Sequence, residues 1–405
     1  MARYTLLISL IFWNSLVAAN DGNLYRLIQQ RLALMKDVAA HKWIHGLPIE
    51  NTKREAIVIN AATLRGLQHG VKVAATAALF SAQISAAKEI QQHWFSTWRV
   101  NSAPKDAPDL EARLRPDLIK LGADIVSAMS QRSSLGATDW LTLLQTEGLS
   151  QDSIIKLDKA VRAIAFYEHR LDQILDAKIL RVGTTGDYRP FSFVADKRAE
   201  FRGIDIDLAR NLAASLGVEL ELVNTSWPSL THDLGAGKFD IAMSGVSLNS
   251  ARRQIGYFSV PYHRGGKTPI SQCLEKEKFS SLELIDSAET RIVVNPGGTN
   301  QRFVENNIRH AQVIVHNDNR SIFHQIVNGN TDVMITDRIE VQLQTQLHPT
   351  LCSTMPQNNF TIQDKAYLMP KDVQLKHAVD EWLSTRLEDG TVAGLFSDHL
   401  QQRAE

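Results

Sequence analysis

The sequence predicts a chain of two parts, an all-helical N-terminal domain followed by an α/β domain. Between Asn23 and about Lys178, glycine and proline are sparse and apolar residues recur at the spacing of amphipathic helices. After Ile179, short β-branched runs alternate with helical patterns, which is typical of α/β folds. With 405 residues, 44% of them apolar, the chain is long enough for two or more cores.

The first residues have the pattern of a cleaved signal peptide. Arg3 precedes an apolar run of about a dozen residues, and Val17-Ala18-Ala19 offers small residues where a signal peptidase cuts. The alternative, an uncleaved membrane anchor, needs ~20 apolar residues, which this run does not reach. We therefore expect residues 1–19 to be removed and the mature protein to be periplasmic or secreted, with no membrane segment.

Charge and motif content restrict the function. The 44 basic residues balance 44 acidic ones, so the overall charge favours neither nucleic acid nor anionic lipid. Metal-ligand spacings such as HExxH and CxxC are absent, as are phosphate-loop and dinucleotide motifs in a suitable setting, so we expect no metal and no cofactor. Cys273 and Cys352, in an exported chain, predict a disulfide, with two buried thiols as the alternative.

The helical half divides at three breaks, at residues 45–48, 101–108 and 148–150. Before the first break the pattern predicts one long helix, and residues 72–99 predict another. Ser150 is a candidate N-cap for the helix that follows the third break. The helix YEHRLDQILDAK runs almost directly into the first strand of the α/β half.

Cations recur on the predicted helix faces. Arg31 and Lys42 are eleven residues apart, which returns to nearly the same face of one helix. Lys88 and Gln91 are one turn apart on another. Taken alone, such residues are solvated charges on amphipathic surfaces.

The surrounding sequence changes that interpretation. RLALMKDVAAHKWIHGLPIENTKRE, AQISAAKEIQ and LRPDLIKLG resemble the exported, all-helical class of chorismate mutase over nearly the whole mature N-terminal half. The resemblance implies that the arginines clamp carboxylates and that Lys42 and Gln91 reach the breaking ether oxygen, in a rearrangement that needs no nucleophile. Asn51 and Ala87 depart from the family pattern, and a purely structural mutase fold is the alternative. The candidate pocket residues are Arg31, Lys42, Arg54, Glu55, Lys88, Gln91 and Arg115.

The α/β half resembles the periplasmic type II solute-binding fold, with GIDIDLARNLAASLGVELELV, GKFDIAMSGVS and FSVPY in their usual order. The resemblance implies two lobes joined by crossovers near residues 262–269 and 367–370, with ligand in the cleft between them. The predicted domains are therefore a mutase domain over 20–177 and an α/β domain over 178–405. Its lobe 1 covers about 178–264 and 370–405, and lobe 2 about 268–366.

Several residues are candidates for that cleft. In receptors of this fold the residue equivalent to Arg252 grips an α-carboxylate, and Ser244 ends a strand beside it. The NPGGTN loop precedes a predicted helix whose free N–H groups suit a second anion. The remaining candidates are Trp227 as a wall of the cleft, Lys267 as the basic residue of GGKTPI, and the loop residues Asn295, Gly298 and Thr299.

More closely, this half resembles cyclohexadienyl dehydratase through TTGDYRPF, TSWPSL, GGKTPI, VNPGGTN, FHQIVNG, ITDRIE and KAYLMP. That family expels hydroxide and carbon dioxide from a ring and needs a proton donor. Glu340 is the expected donor, with Asp187 as a second candidate or orienting partner. Asp337 is expected to hold an amino group as in amino-acid receptors, which would favour arogenate over prephenate.

Together these features predict a bifunctional enzyme acting on the small molecules chorismate and prephenate or arogenate. The fusion supports this, because the two modules resemble consecutive steps of one pathway. Two alternatives remain: a receptor for an aromatic or dicarboxylic amino acid with a mutase-like domain, and a mutase with a ligand-sensing domain. Both families tend to form oligomers, so a homo-oligomer is expected.

Overall fold

The computed structural model describes residues 22–131, 141–194 and 200–401. The predicted signal peptide, residues 1–19, lies outside these ranges. The chain forms two compact units that divide between Glu168 and His169.

The first unit is helical wherever the structure describes regular elements, apart from one isolated β-bridge. The predicted long first helix is interrupted at Leu34, although this residue keeps right-handed helical torsions of −69° and −12°. The predicted helix near residues 72–99 is confirmed as the longest helix of this unit among the described residues. The elements are α1 (22–33), α2 (Met35–Ile44), α3 (Thr52–Gln68), α4 (Val73–Val100), a π-helical turn (Leu110–Leu114), α5 (Arg115–Ser130), a 3-10 turn (Leu141–Leu144) and α6 (Gln151–Arg162).

Local capping sets the start of two of these helices. The side chain of Asn51 accepts a hydrogen bond of 2.9 Å from the backbone N–H of Arg54, while Glu55 accepts one from the backbone N–H of Asn51. This reciprocal pair satisfies two donors that a helix start would leave unpaired. The predicted cap Ser150 accepts from the backbone N–H of Ser153 at the start of α6.

The second unit contains two five-stranded sheets with helices packed against them. The first sheet has the order β4-β1-β5-β14-β6 and the second β10-β9-β11-β8-β12. The elements are α7 (Arg170–Ala177), β1 (Ile179–Thr184), β2 (Asp187–Tyr188), β3 (Ser192–Phe193), α8 (Ile204–Leu216), β4 (Glu219–Asn224), α9 (Leu230–Gly235), β5 (Ile241–Ala242), α10 (Ser250–Ile255), β6 (Tyr257–Phe258), β7 (His263–Gly265), β8 (Lys267–Gln272), a 3-10 segment (Cys273–Phe279), α11 (Leu282–Ile285), β9 (Arg291–Val294), α12 (Thr299–Asn307), β10 (Gln312–Val315), α13 (Ile322–Val327), β11 (Val333–Asp337), α14 (Arg338–Leu347), β12 (Leu351–Ser353), β13 (Gln363–Lys365), β14 (Leu368–Met369), α15 (Val373–Glu388) and α16 (Thr391–Gln401).

Two short strands carry the chain between the sheets. β7 and β13 pair antiparallel, with Lys365 opposite His263. The first crossover lies where the sequence predicted it, but the second prediction, 367–370, is wrong. The apolar residue Leu368 already pairs with Ala242 and Phe258 inside the first sheet, so the second crossover is β13 and lobe 1 resumes before residue 370.

The predicted domain boundary, between residues 177 and 178, places helix α7 in the first unit. The structure places this helix in the second unit. It belongs to the second unit because Ile174 is buried in the core of the first sheet and its helices. The backbone N–H of Arg170 also donates to the carboxylate of Asp372 at 2.6 Å. As predicted, the helix leads straight into β1 through Lys178, whose φ of 58° reverses the chain.

The predicted disulfide between Cys273 and Cys352 is present, and it ties the end of β8 to its neighbour β12. Over the ranges that the structure describes, none of the helices combines the length and apolar character needed to cross a bilayer.

Candidate active sites

The first unit encloses a cavity of about 350 Å³ between its helices. Every pocket residue that the sequence predicted lines it: Arg31, Lys42, Arg54, Glu55, Lys88, Gln91 and Arg115. Asn51 and Ala87, the two departures from the family pattern, also line it. The helix spacing that suggested a shared face therefore brings these side chains to one place.

Arg31 is the most deeply buried cation of this cavity, with 7% of its surface exposed. One Nη atom reaches Gln83 Oε1 at 3.4 Å, and the Nε atom has no hydrogen-bond partner. Burial lowers the pKa of Arg31 to about 10. A buried guanidinium with an unused donor is suited to an anionic ligand such as a carboxylate.

Lys42 and Gln91 present polar atoms to the same space. Lys42 Nζ donates to the carbonyl oxygen of Ile49 at 2.7 Å. Burial lowers the pKa of Lys42, Glu55 opposes this, and the charge of Arg115 lowers it further. Gln91 donates to Ala87 O at 3.0 Å and leaves its amide oxygen unpaired.

Two other predicted cations are already paired. Lys88 lies 3.2 Å from a carboxylate oxygen of Glu55 and 3.1 Å from Glu50, and these hydrogen bonds raise its pKa. Arg115 forms an ion pair with Glu111. These partners hold both side chains at the cavity wall rather than leaving their charge free.

Arg65 also lines the cavity and was not predicted from the sequence. Arg65 is eleven residues after Arg54 on α3, the same spacing that marked Arg31 and Lys42, so helical periodicity offered the signal. Within the described part of the chain, neither Arg54 nor Arg65 is held in an ion pair.

In the second unit the cleft between the two sheets holds a void of about 20 Å³. The sequence predicted seven of the residues that line it: Trp227, Arg252, Asn295, Gly298, Thr299, Asp337 and Glu340. It missed Tyr188, Gly245, Ser247, Asn300, Asn319 and Lys365. Gly245 has a φ of 63°, and a Cβ atom there would lie 2.6 Å from the Tyr188 ring, so only glycine fits.

Glu340 is 3% exposed and lies in the first turn of α14. Its carboxyl group accepts a hydrogen bond of 2.5 Å from the Thr336 hydroxyl. Burial raises the pKa of Glu340 to about 8, and the negative charge of Asp337 adds to this. At neutral pH Glu340 is therefore predominantly a neutral acid that can donate a proton.

Asp337, three residues earlier, is ionised. Burial opposes its ionisation, but the charges of Lys267 and Lys365 outweigh burial and hold the pKa of Asp337 well below its usual range. Lys267 Nζ lies 2.8 Å from one carboxylate oxygen and Lys365 Nζ 2.6 Å from the other. The Tyr188 hydroxyl also donates to the second oxygen. Both oxygens of Asp337 are therefore already bonded to lysines, and its contact with a ligand amino group stays a prediction.

Lys365 comes from the crossover strand β13 and is 3% exposed. It also donates to the Ser247 hydroxyl at 2.9 Å. The sequence could have revealed Lys365, because it is the one charged residue of the otherwise apolar motif KAYLMP. A lysine that leads into a buried strand needs a partner in the interior.

Arg252 brings a buried guanidinium to the cleft. One Nη atom donates to Ser247 O at 2.9 Å, whereas Nε is buried without a partner. Burial lowers the pKa of Arg252 to about 10. Its guanidinium lies 5.9 Å from the ring centre of Trp227, which holds it against an aromatic wall.

Three predicted cleft residues, Ser244, Asp187 and Lys267, do not line the void. Lys267 is fully buried and donates to Asn300 and Asp337. Ser244 is fully buried, and its hydroxyl bonds to the backbone N–H and hydroxyl of Thr185, because the end of β5 turns its side chain inward. Asp187 accepts a hydrogen bond of 3.1 Å from the Trp227 indole, and its carbonyl oxygen accepts one from Asn319. Burial raises the pKa of Asp187, whose carboxylate holds the Trp227 indole.

The loop before α12 contributes Asn295 and Gly298, and the first residue of α12 contributes Thr299, as predicted. Asn295 accepts from Asn300, which in turn donates to Thr336, the partner of Glu340. Among the described residues, no group of three or more His, Cys, Asp or Glu side chains could hold a metal ion.

The arrangement of two sheets, two crossovers and a cleft agrees with a family comparison. Residues 180–402, more than half of the chain, match the model for bacterial extracellular solute-binding proteins, family 3. The chain belongs to this family. A second model, chorismate mutase type II, matches residues 15–92. Both family resemblances and the predicted fold classes are confirmed.

Relatives of the family 3 part include an enzyme and several binding proteins. It is 48% identical over 236 residues to cyclohexadienyl dehydratase of Pseudomonas aeruginosa, covering 58% of this chain and 88% of that protein. The L-cystine-binding protein TcyJ of Escherichia coli is 26% identical over 231 residues, which cover 56% and 85% of the two chains. The family fold is thus shared by catalysts and receptors.

Solved structures that are similar to the second unit also include binding proteins. An ancestral amino acid-binding protein, named as a precursor of cyclohexadienyl dehydratase, has a TM-score of 0.53 and 31% identity, over 57% of this chain and all of that one. The L-arginine-bound substrate-binding protein AbpA of Streptococcus pneumoniae has a TM-score of 0.54 and 25% identity, over 58% and 99%. The residues of the cleft, not the fold, must therefore distinguish binding from catalysis.

Proposed function

We propose that the chain is a bifunctional enzyme of phenylalanine biosynthesis. Its first unit rearranges chorismate to prephenate, and its second unit converts prephenate or arogenate to phenylpyruvate or phenylalanine. The observation that carries the second assignment is Glu340, a buried carboxylic acid with a pKa near 8 in the cleft of a solute-binding fold. Binding alone has no use for such an acid, whereas proton donation requires one.

The mutase reaction suits the first cavity. The rearrangement breaks a C–O bond and forms a C–C bond within one molecule, so the protein supplies a compact conformer and positive charge. Arg31 and Arg54 bind the substrate carboxylates. Lys42 and Gln91 lie at the ether oxygen, where negative charge develops.

The dehydratase reaction suits the second cleft. Glu340 gives its proton to the leaving ring hydroxyl, and the C–O bond breaks to release water. The electron pair of the ring carboxylate's C–C bond moves into the ring, so carbon dioxide departs and the ring becomes aromatic. Arg252 and the N–H groups at the start of α12 hold carboxylate groups, while Asp187 fixes the Trp227 wall.

The receptor alternative receives less support from the same cleft. An amino-acid receptor needs an acceptor for the ligand ammonium, but both oxygens of Asp337 are bonded to lysines. The family itself is described as extracellular. We propose that residues 1–19 are a cleaved signal peptide, that the mature protein is periplasmic or secreted, and that it forms a homo-oligomer.

Purified protein supplied with chorismate tests both assignments. Prephenate is measured after conversion to phenylpyruvate in acid, and enzymatic phenylpyruvate by its ultraviolet absorbance in alkali without acid treatment. We expect chorismate to disappear, prephenate to rise and fall, and phenylpyruvate to accumulate. Prephenate that accumulates without further conversion would leave only a mutase, and tight amino-acid binding without turnover would favour the receptor.

A further inference from the structure

Two of the side chains that line the void of the second cleft carry a buried polar atom without a hydrogen-bond partner. The Nε atom of Arg252 is an unused donor, and the Oδ1 atom of Asn319 is an unused acceptor. An unpaired buried polar atom costs free energy, so a ligand that fits this cleft must offer an acceptor to Arg252 and a donor to Asn319.

The donor side of the Asn319 amide fixes its orientation. Asn319 is 8% exposed, and its Nδ2 atom donates to the backbone carbonyl oxygen of Asp187, on the other lobe, at 2.9 Å. Only the nitrogen of an amide can donate to a carbonyl, so the oxygen must be the other branch of the side chain. The unpaired atom is therefore an acceptor, and it can be satisfied by an N–H or O–H group of a ligand.

Asn319 and Glu340 lie on the same lobe and line the same void. Asn319 follows β10, Glu340 lies in the helix directly after β11, and both strands belong to the second sheet. Their relative placement therefore does not depend on movement of one lobe against the other. A void of about 20 Å³ admits about one water-sized group, so both side chains face the same small space.

The chemistry of the substrate identifies the donor. The two carboxylates and the keto group of prephenate only accept hydrogen bonds at neutral pH, so its single donor is the ring hydroxyl, which is the leaving group. A neutral amide oxygen suits a hydroxyl and brings no countercharge for an ammonium. We propose that Asn319 accepts a hydrogen bond from this ring hydroxyl and thereby turns the lone pairs of the leaving oxygen toward Glu340. This inference rests on the dehydratase function proposed above.

The contact should strengthen as the reaction proceeds. Glu340 gives its proton to the hydroxyl oxygen, the C–O electron pair leaves with that oxygen as water, and the pair from the departing carboxylate enters the ring. The original O–H stays bonded to Asn319 Oδ1 and becomes more acidic while its oxygen gains the proton, and charge-assisted hydrogen bonds are stronger than neutral ones. Asn319 therefore stabilises the transition state more than the bound substrate, and its loss should appear mainly in kcat.

Asn319→Ala in the full chain, assayed with supplied prephenate, tests this contact. We expect kcat/KM to fall about 10–100-fold, with most of the loss in kcat. The loop should keep its shape, because Asp318 accepts from the backbone N–H groups of Arg320 and Ser321. Asn317→Ala is the matched control and should keep wild-type kinetics, because Asn317 is exposed in the same loop and does not line the void.

The pH dependence separates a contact with the substrate from a structural role. If Asn319 only held the two lobes together, its loss would admit water to Glu340 and lower the pKa of this acid, so the fall in rate with rising pH would move below pH 8. We expect the fall to stay centred at about pH 8 in Asn319→Ala. Chorismate mutase activity and the thermal unfolding midpoint report whether the variant is folded, and Asn319→Leu is a second apolar variant.

Three results would overturn the proposal in folded Asn319→Ala or Asn319→Leu: a wild-type kcat, a loss confined to KM, or a fall in rate displaced to lower pH. A wild-type protein that does not convert prephenate would instead refute the dehydratase function itself. The two failures are distinct, because the role of Asn319 is measured only against a detectable wild-type rate.

Discussion

Replacing Glu340 with glutamine tests the proton donor with little change of shape. Glu340→Gln removes the acidic proton but keeps an oxygen that can accept from the Thr336 hydroxyl, now 2.5 Å from the carboxyl group. Because Glu340 is neutral at pH 7, the neutral amide replaces a neutral acid in a site that is 3% exposed. The folded structure should therefore tolerate the change, and any loss of dehydration reports the chemistry.

The magnitude follows from the role and from the pKa. Loss of a general acid lowers the rate by roughly 10²–10⁴-fold. In the wild-type protein, a pKa of about 8 means that about 90% of Glu340 is protonated at pH 7 and about 10% at pH 9. Dehydration of supplied prephenate should thus fall about tenfold between these pH values.

The same pKa makes a prediction for stability. The pKa of Glu340 is raised on folding, so its contribution to stability is complete below its unfolded value and is lost as the pH rises through about 8. Glutamine does not ionise, so Glu340→Gln should be more resistant than wild type to thermal unfolding at pH 9. The difference should shrink as the pH falls and disappear below the unfolded pKa of glutamate, about 4.3.

The assay measures prephenate dehydration across pH 6 to 9 for both proteins, with mutase activity as the internal control. Mutase activity should be unchanged, because Glu340 lies in the second unit. Dehydration by Glu340→Gln within tenfold of wild type would refute the assignment. A wild-type rate on prephenate that is flat from pH 7 to pH 9 would refute it independently.

Three further changes test other parts of the molecule. Lys42→Ala should lower chorismate mutase kcat/KM by about 10²–10³-fold, because a group at the developing charge is lost. Dehydration of supplied prephenate should be unchanged, and an equal loss of both activities would contradict a local role. Arg31→Met should abolish most mutase activity yet leave the melting temperature equal or higher, because an apolar chain replaces an incompletely paired, buried guanidinium. A large drop in melting temperature would show a structural role instead. The double substitution Cys273→Ser and Cys352→Ser removes the disulfide and should lower the free energy of unfolding of the second unit by about 4 kcal/mol, because the cysteines are 79 residues apart. Denaturant titration measures this change, and an unchanged unfolding midpoint would contradict the loop-entropy account.

Several features were predictable because they depend on local spacing. Eleven residues along a helix return to one face, which brought Arg31 and Lys42 to one cavity and could have revealed Arg65. The step from a buried strand to a helix placed Glu340 one turn after Asp337. Ser244 was misassigned because a short strand's end was known but the direction of its side chain was not.

The sequence by itself determined the helical and α/β halves, the faces of their helices and about half of the residues that line the second cleft, since these follow from periodicity and motif order. Only the tertiary structure decided the charge state of the second cleft. Asp337 meets Lys267, 70 residues away, and Lys365, 28 residues away, while Tyr188 comes from 149 residues away. A pKa is set by burial and by every neighbouring charge at once, and neither quantity exists until the two lobes close around the same few side chains.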